Sequence, residues 1–320
     1  MKVIITDNDH ANLNEEVVVF NKNGVEYELK QCKTEDDLIN QCKGYSVFTN
    51  QYAPFTRKVI EALAPEIKQI VRYGVGVNNV DLIAATEFGV QVCNVPDYGM
   101  NEVADQAVAM MMALIRKVCL MNDYTKNTKW DYVRAIPIHR IPGQTIGIFG
   151  IGRIGKTFAK RMSGFGVKLL ACDPIYKIGE IVEGAEIVDF NTLIEKSDII
   201  SVHTPFDETT KNVFNLDVLK KMKDSAYLIN VSRGGIINED DLYTALNEKM
   251  IAGAAIDVVL EEPMNPGNKL YNLENFLISP HMAWYSEEAA KELKTKVAEE
   301  ACRFVKGEEI YYPVNCVKGK

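Results

Sequence analysis

Short runs of apolar residues recur along the chain, each followed by a stretch whose apolar positions fall at helical spacing. Before residue 100 the runs are KVIIT, YSVFT, KQIVR and VQVCNV; later come TIGIFG, KLLACD, DIISVH, AYLINV, AGAAIDVV and NFLISP. A strand with one wet face alternates apolar and polar positions. These runs are continuous, so they predict parallel sheets covered on both faces by the intervening helices. One segment interrupts the series: MNEVADQAVAMMMALIRKVCLMNDYTKN has helical spacing without Gly or Pro and follows the turn-rich NVPDYG. That turn is a natural hinge, and the pattern predicts an α/β chain built twice. After His281, SEEAAKELKTKVAEEACRFVKGEE predicts a long amphipathic helix opened by a Ser and Glu capping pattern.

A length of 320 residues supports the same division, because one hydrophobic core usually stops growing below that size. With 25% charged and 47% hydrophobic residues, the composition is that of an ordinary globular protein. The net charge of -8 and the lack of a Lys/Arg cluster argue against a nucleic-acid surface, which needs a positive footprint. The start, MKVIITDNDH, is too weakly apolar for a signal peptide, and no later run is long enough to span a bilayer. A cytoplasmic location without a membrane partner is the expectation. Seven cysteines, with no C-x-x-C pair, predict buried thiols in a reducing compartment and no structural metal site.

The stretch TIGIFGIGRIG places Gly150, Gly152 and Gly155 in G-x-G-x-x-G spacing, after a strand and at the start of a helix. The first glycine permits a tight turn, the second lets the backbone approach a pyrophosphate, and the third lets helix pack on strand. Asp173 ends the next predicted strand, where a carboxylate bonds ribose hydroxyls and repels a 2′-phosphate, so NAD is favoured over NADP. Arg153, within the motif, is placed to contact the phosphates. A second pair, Gly74 and Gly76 in YGVGVNNVD, has Asn79 where a third glycine would stand. It reads equally as a structural turn or as a loop offering N–H groups to a carboxylate.

Three later strands end in polar residues: Arg233 in SRGG, then Asp257, Glu261 and Glu262 in IDVVLEEP, then His281 in SPH. Open α/β sheets bind ligands at those ends. Arginine grips a carboxylate bidentately, and histidine gives or takes a proton at a neighbouring oxygen. A carboxylate beside the histidine would favour its protonated form and fix its tautomer. Together these groups fit hydride transfer at an oxygen-bearing carbon next to a carboxylate. Singly, each has a plain alternative: an ion pair, a solvated acidic edge, a helix cap.

The segments TIGIFGIGRIG, CDP, VHTPFDETT, INVSRGGIINEDDL, AAIDVVLEEP and SPHMAWYSEEA occur in an order and spacing that resembles the D-isomer-specific 2-hydroxyacid dehydrogenases. The resemblance covers essentially the whole chain. It implies a Rossmann-type NAD-binding domain at 99–285, inserted into a smaller flavodoxin-like substrate-binding domain formed by 1–98 and 286–320, with the active site between them. Arg233 is then the substrate-binding arginine, Glu262 the partner of the histidine, and His281 the acid/base. Cofactor contacts carried over by the same motifs are Gly150, Gly152, Arg153, Ile154, Gly155, Asp173, His203, Thr204, Pro205, Thr209, Val231, Ser232 and Asp257. Substrate contacts are Arg72, Val75, Gly76 and Trp284.

HMAWYSEEA and VRYGVG look like the C-terminal-binding proteins, and they bring in Trp284 as a stacking surface, the alternative being packing in the interdomain hinge, and Arg72 as a second charge. The resemblance further implies a homodimer through the cofactor domain, with AVAMMMALIRKVCLM in the contact; a buried core helix is the equal alternative. Asn78 and Asp105 depart from the family's commoner Asp and Glu. Ending at Lys320, the chain carries no regulatory domain of the kind found in many phosphoglycerate dehydrogenases, so feedback control by serine is not expected. The expected activity is hydride transfer between NAD(H) and a small D-2-hydroxy acid and its 2-oxo acid, the alternative being an NAD(H)-sensing interaction protein.

Overall fold

A computed structural model describes residues 1–10, 12–127 and 129–317. The chain divides into two compact units, Met1–Gly99 with Ser286–Lys320, and Met100–Tyr285.

Unit 1 holds β1 (Val3–Ile5), α1 (Asn14–Asn23), β2 (Tyr27–Leu29), α2 (Glu35–Gln41), β3 (Val47–Asn50), α3 (Arg57–Leu63), β4 (Gln69–Arg72), α4 (Leu82–Glu87) and β5 (Gln91–Cys93). Its strands form one parallel sheet in the order β2-β1-β3-β4-β5. Register explains the apolar runs. Ile4, Phe48, Ile70 and Val92 stand side by side across four strands and enter one buried cluster. Their chain neighbours Ile5, Thr49, Val71 and Cys93 form the adjacent row, also fully buried, on the opposite face.

Unit 2 begins with α5 (Met100–Ile115) and α6 (Val118–Lys126) and continues through β6 (Thr145–Phe149), α7 (Arg153–Met162), β7 (Lys168–Cys172), β8 (Ile181–Val182), β9 (Ala185–Ile187), α8 (Phe190–Lys196) and β10 (Ile199–Val202). It ends with α9 (Leu216–Leu219), β11 (Tyr227–Asn230), α10 (Glu239–Asn247), β12 (Gly253–Ile256) and β13 (Phe276–Ile278). The sheet order is β13-β12-β11-β10-β6-β7-β9-β8, parallel except for the β8–β9 pair. Ile199 packs into one core cluster and its neighbour Ile200 into another, which is the two-sided burial that a continuous apolar strand needs. The chain returns to unit 1 in α11 (Glu287–Lys306), where the Ser286 hydroxyl accepts the Ala289 N–H at 2.9 Å.

The single helical segment read from the sequence after residue 99 is two helices. Lys117 breaks it with φ 54°, a left-handed conformation that no Gly or Pro announces. The apolar face of α5, including Ala107, Met111 and Leu114, is buried in its own unit. By contrast α6 buries nothing, and Trp130, Tyr132, Val133 and Ile136 beyond it are exposed. Of the seven cysteines, all free, Cys32, Cys42, Cys93 and Cys302 are buried, whereas Cys119 and Cys316 are exposed. Among the described residues no helix is long and apolar enough to cross a membrane, and no group of His, Cys, Asp and Glu is gathered to hold a metal ion.

Candidate active site

Because the strands of unit 2 run parallel, the residues that follow them share one edge of the sheet. Reading along the strand order, that edge carries His281 after β13, Asp257 after β12, Arg233 after β11, His203 after β10, Gly150 after β6 and Asp173 after β7. The chain reverses its winding direction between β6 and β10, the switch point at which open α/β sheets take ligands.

Two of the three motif glycines are required by the protein's own packing. Gly150 has φ 89°, and a Cβ there would lie 2.8 Å from the carbonyl carbon of His203. A Cβ on Gly155 would lie 2.2 Å from the Gly150 carbonyl oxygen. Gly152 is different: nothing described lies within 4 Å of its missing Cβ, so packing does not require a glycine there and the space is open to a ligand. This cradle fits a dinucleotide pyrophosphate at the start of α7, with Arg153 and Ile154 in its first turn. Asp173 leans over the turn. One oxygen accepts the Ile151 N–H at 2.9 Å and the other the Ile175 N–H at 3.0 Å, leaving lone pairs for ribose hydroxyls.

His203 is enclosed beside the turn. Its Nε2 meets the Ser201 hydroxyl at 2.8 Å and its ring lies 5.0 Å from that of Phe158 in α7, while burial lowers its pKa to about 3 and keeps it neutral. Its Nδ1 has no partner among the described residues, an orphan at the edge that would take the cofactor. Thr204 and Pro205 follow on the same loop, which is tied to itself: the Thr209 hydroxyl donates to Asp207 at 2.6 Å and the Thr210 hydroxyl to the Pro205 carbonyl at 2.8 Å.

After β11, Val231 is buried and the Ser232 hydroxyl donates to the Val202 carbonyl at 2.7 Å. The turn is pinned by Asn230, which accepts the Ser232 N–H at 3.0 Å and donates to the Arg233 carbonyl at 2.9 Å. Asn230 is 1% exposed, and its signal in the sequence is a polar residue closing the apolar strand YLIN. The half-buried Arg233 guanidinium donates to the Ser232 carbonyl at 2.6 Å.

His281 and Glu262 form a pair. The imidazole Nδ1–H donates to the Glu262 carboxylate at 2.6 Å, which leaves Nε2 as the ring nitrogen not engaged by that pair. The other Glu262 oxygen accepts the Val259 N–H at 3.2 Å. Partial burial works to raise the Glu262 pKa, but the hydrogen bond and charge of His281 outweigh it, and the carboxyl sits below its ordinary value. Glu261, its neighbour, is exposed and makes no such contact. Asp257 is fully buried, and burial pushes its carboxyl up. Its oxygens accept the Ser279 hydroxyl and the N–H groups of Met282 and Ala283 at 3.1 and 2.8 Å. Trp284 is half-buried, with its ring edge-on to Tyr285 at 5.5 Å.

Unit 1 carries the second glycine loop. Gly74 has φ 127°, and the Arg72 guanidinium occupies the space its side chain would fill, 1.8 Å from the missing Cβ. Val75 is exposed and Gly76 half-buried. Asn79, in place of a third glycine, donates to the carbonyls of Gln51 and Ala53 at 3.3 and 3.2 Å and so joins this loop to the one after β3. There Asn50 and Gln51 are turned inward and buried, while Tyr52 is exposed.

The glycine turn, the Asp173 carboxylate and the paired His281 and Glu262 thus follow strands of one sheet and lie along one edge of it. Residues 108–283 match the family described as D-isomer specific 2-hydroxyacid dehydrogenase, NAD binding domain. The chain belongs to that family. It is 34% identical over 318 residues to D-3-phosphoglycerate dehydrogenase of Archaeoglobus fulgidus, covering 98% of this chain but 59% of that protein. It is 33% identical to glycerate dehydrogenase of Methylorubrum extorquens over 93% of this chain and 95% of that one. Among solved structures, NAD-dependent formate dehydrogenase of Staphylococcus aureus in complex with NAD superposes with a TM-score of 0.89 at 27% identity, over 99% of this chain and 100% of that one.

Proposed function

We propose that the protein reduces a small 2-oxo acid to the D-2-hydroxy acid, and catalyses the reverse oxidation, with His281 as acid/base. The observation that carries this is the 2.6 Å His281–Glu262 pair on the same sheet edge as the glycine cradle. Asp173 and the β11 turn are three strand spacings apart, about 14 Å at ~4.8 Å per strand, so a dinucleotide held at Asp173 lies along the edge with its reactive end near β11 and β12.

Bound NADH supplies the hydride. Arg233 grips the substrate carboxylate and polarises its carbonyl, and His281 Nε2–H gives its proton to the carbonyl oxygen as the alkoxide forms. Glu262, held ionised, balances the imidazolium before transfer and keeps the ring's Nδ1 occupied. Asp257 uses three of the four acceptor positions of its carboxylate within the protein and keeps one, suited to an amide N–H of the cofactor. In unit 1, Arg72 with the Val75 and Gly76 backbone forms an anion-binding loop for a carboxylate, and Trp284 offers a face on which an apolar substituent stacks. An unphosphorylated ribose is the better fit to Asp173, which favours NAD over NADP.

The relatives described above are dehydrogenases, which favours an enzyme over the NAD(H)-sensing alternative. Free thiols at all seven cysteines fit a cytoplasmic setting. We further propose a homodimer through unit 2, readable as mass in solution. Its contact surface shifts from α5, whose apolar face is occupied, to α6 and the exposed Trp130, Tyr132, Val133 and Ile136.

The test is NADH oxidation with pyruvate, hydroxypyruvate, glyoxylate, 2-oxoisocaproate, phenylpyruvate and 3-phosphohydroxypyruvate. Saturable turnover is expected with at least one of them. Tight NADH binding with no turnover on any would overturn the enzymatic assignment in favour of the sensor.

A further inference from the structure

We propose that Ser279 and Gln106 are positioning residues, which fix Asp257 and through it the backbone turn that presents His281. The proposal rests on His281 being the proton donor. His281 has φ 52°, a left-handed conformation that a residue other than Gly adopts only when its surroundings impose it.

Asp257 imposes it. Its carbonyl accepts the His281 N–H at 2.7 Å, and its carboxylate accepts the next two N–H groups, those of Met282 and Ala283. Three consecutive amides of the turn are therefore held by one residue at the end of β12. A carboxylate this deeply buried holds its orientation through the donors that fill its acceptor sites, of which the two backbone N–H groups leave two.

Ser279 fills one of them. Its single hydroxyl proton has two acceptors in reach, Asp257 Oδ1 and the Met110 sulfur at 3.5 Å, and the charged oxygen wins over a thioether. The Ser279 oxygen is then free to accept, and Gln106 Nε2–H on α5 donates to it at 3.3 Å. The result is a one-way chain of donors, Gln106 to Ser279 to Asp257, that ties α5 to the His281 turn. Apart from the Ser279 carbonyl, which also accepts the His281 N–H at 3.1 Å, neither residue meets the catalytic pair, so the effect of the two side chains passes through geometry.

The experiment compares Ser279→Ala, Ser279→Thr and Gln106→Leu in the full chain, with kcat expressed per NADH-binding site titrated by fluorescence. Ser279→Ala is expected to lower kcat about tenfold or more, the scale on which small misplacements act, with NADH affinity close to that of the wild type. Ser279→Thr restores the hydroxyl and recovers most of the rate; Gln106→Leu falls between. A residue that only packs the core would change thermal stability and the fraction of binding sites without changing kcat per site. Wild-type kcat per site in Ser279→Ala, or a threonine variant no better than the alanine one, overturns the proposal. Should Ser279→Ala not fold, unchanged kcat in Gln106→Leu overturns it. Turnover retained without His281 would instead remove the proton-donor assignment on which it rests.

Discussion

Replacing His281 is expected to cut kcat by a factor on the order of 10² to 10⁴, the usual contribution of a positioned acid/base, while NADH affinity stays near the wild-type value. The separation follows from the layout. The glycine cradle and Asp173 lie after β6 and β7, on the far side of the switch point from His281 after β13. Alanine alone is an incomplete test, because position 281 has φ 52° and alanine disfavours that conformation. His281→Asn is the better variant: asparagine tolerates left-handed backbone and preserves the turn, yet has no proton to give at this pH. Both variants should lose turnover alike. If His281→Asn keeps more than about a tenth of the wild-type kcat, smaller than any ordinary acid/base effect, the proton comes from elsewhere.

Gly234→Ala is the second large effect. A Cβ there would lie 1.9 Å from the Val259 carbonyl oxygen, 2.0 Å from its carbon and 2.4 Å from the Leu260 nitrogen, all of them backbone atoms. The clash is relieved by separating the Arg233 turn from the segment whose Val259 N–H holds Glu262, and Glu262 holds His281. Overpacking of this kind costs about 1 to 3 kcal/mol or more, and each kcal/mol lowers the Tm of a domain this size by roughly 2–4 °C. The expected result is a clearly lower Tm with kcat reduced about 100-fold, since Arg233, Glu262 and His281 shift together. Gly152→Ala is the control: with open space around it, Tm should hold while NADH binding weakens. Calorimetry and fluorescence titration read both, and equal stability of Gly234→Ala and wild type would contradict the close approach.

Much of this architecture is legible in the amino-acid pattern. Ten strands coincide with the apolar runs, because strands covered on both faces have no reason to alternate. The strands that escape notice are β2, β8 and β9, of two or three residues; β2 and β8 are the edge strands of their sheets, where burial is too slight to leave a run. The break at Lys117 also leaves no mark, since a lysine in left-handed backbone looks like any helical lysine. At the site, periodicity could not choose between Glu261 and Glu262. Family resemblance made that choice, and the geometry brings Glu262 alone of the two to His281. Asn230 was readable as a polar residue closing an apolar strand. Gln106 and Ser279 were not, because they meet across 173 positions of chain and nothing local announces a contact made by the fold.

Product analysis of a reaction run with NADH carrying deuterium at both C4 positions tests the proposed chemistry most directly. Hydride transfer to a 2-oxo acid, with the proton supplied by His281, should yield the D-2-hydroxy acid with one deuterium at C2 for each NADH consumed, and none on oxygen that survives exchange with water. An L-configured product, or one without deuterium at C2, would contradict it.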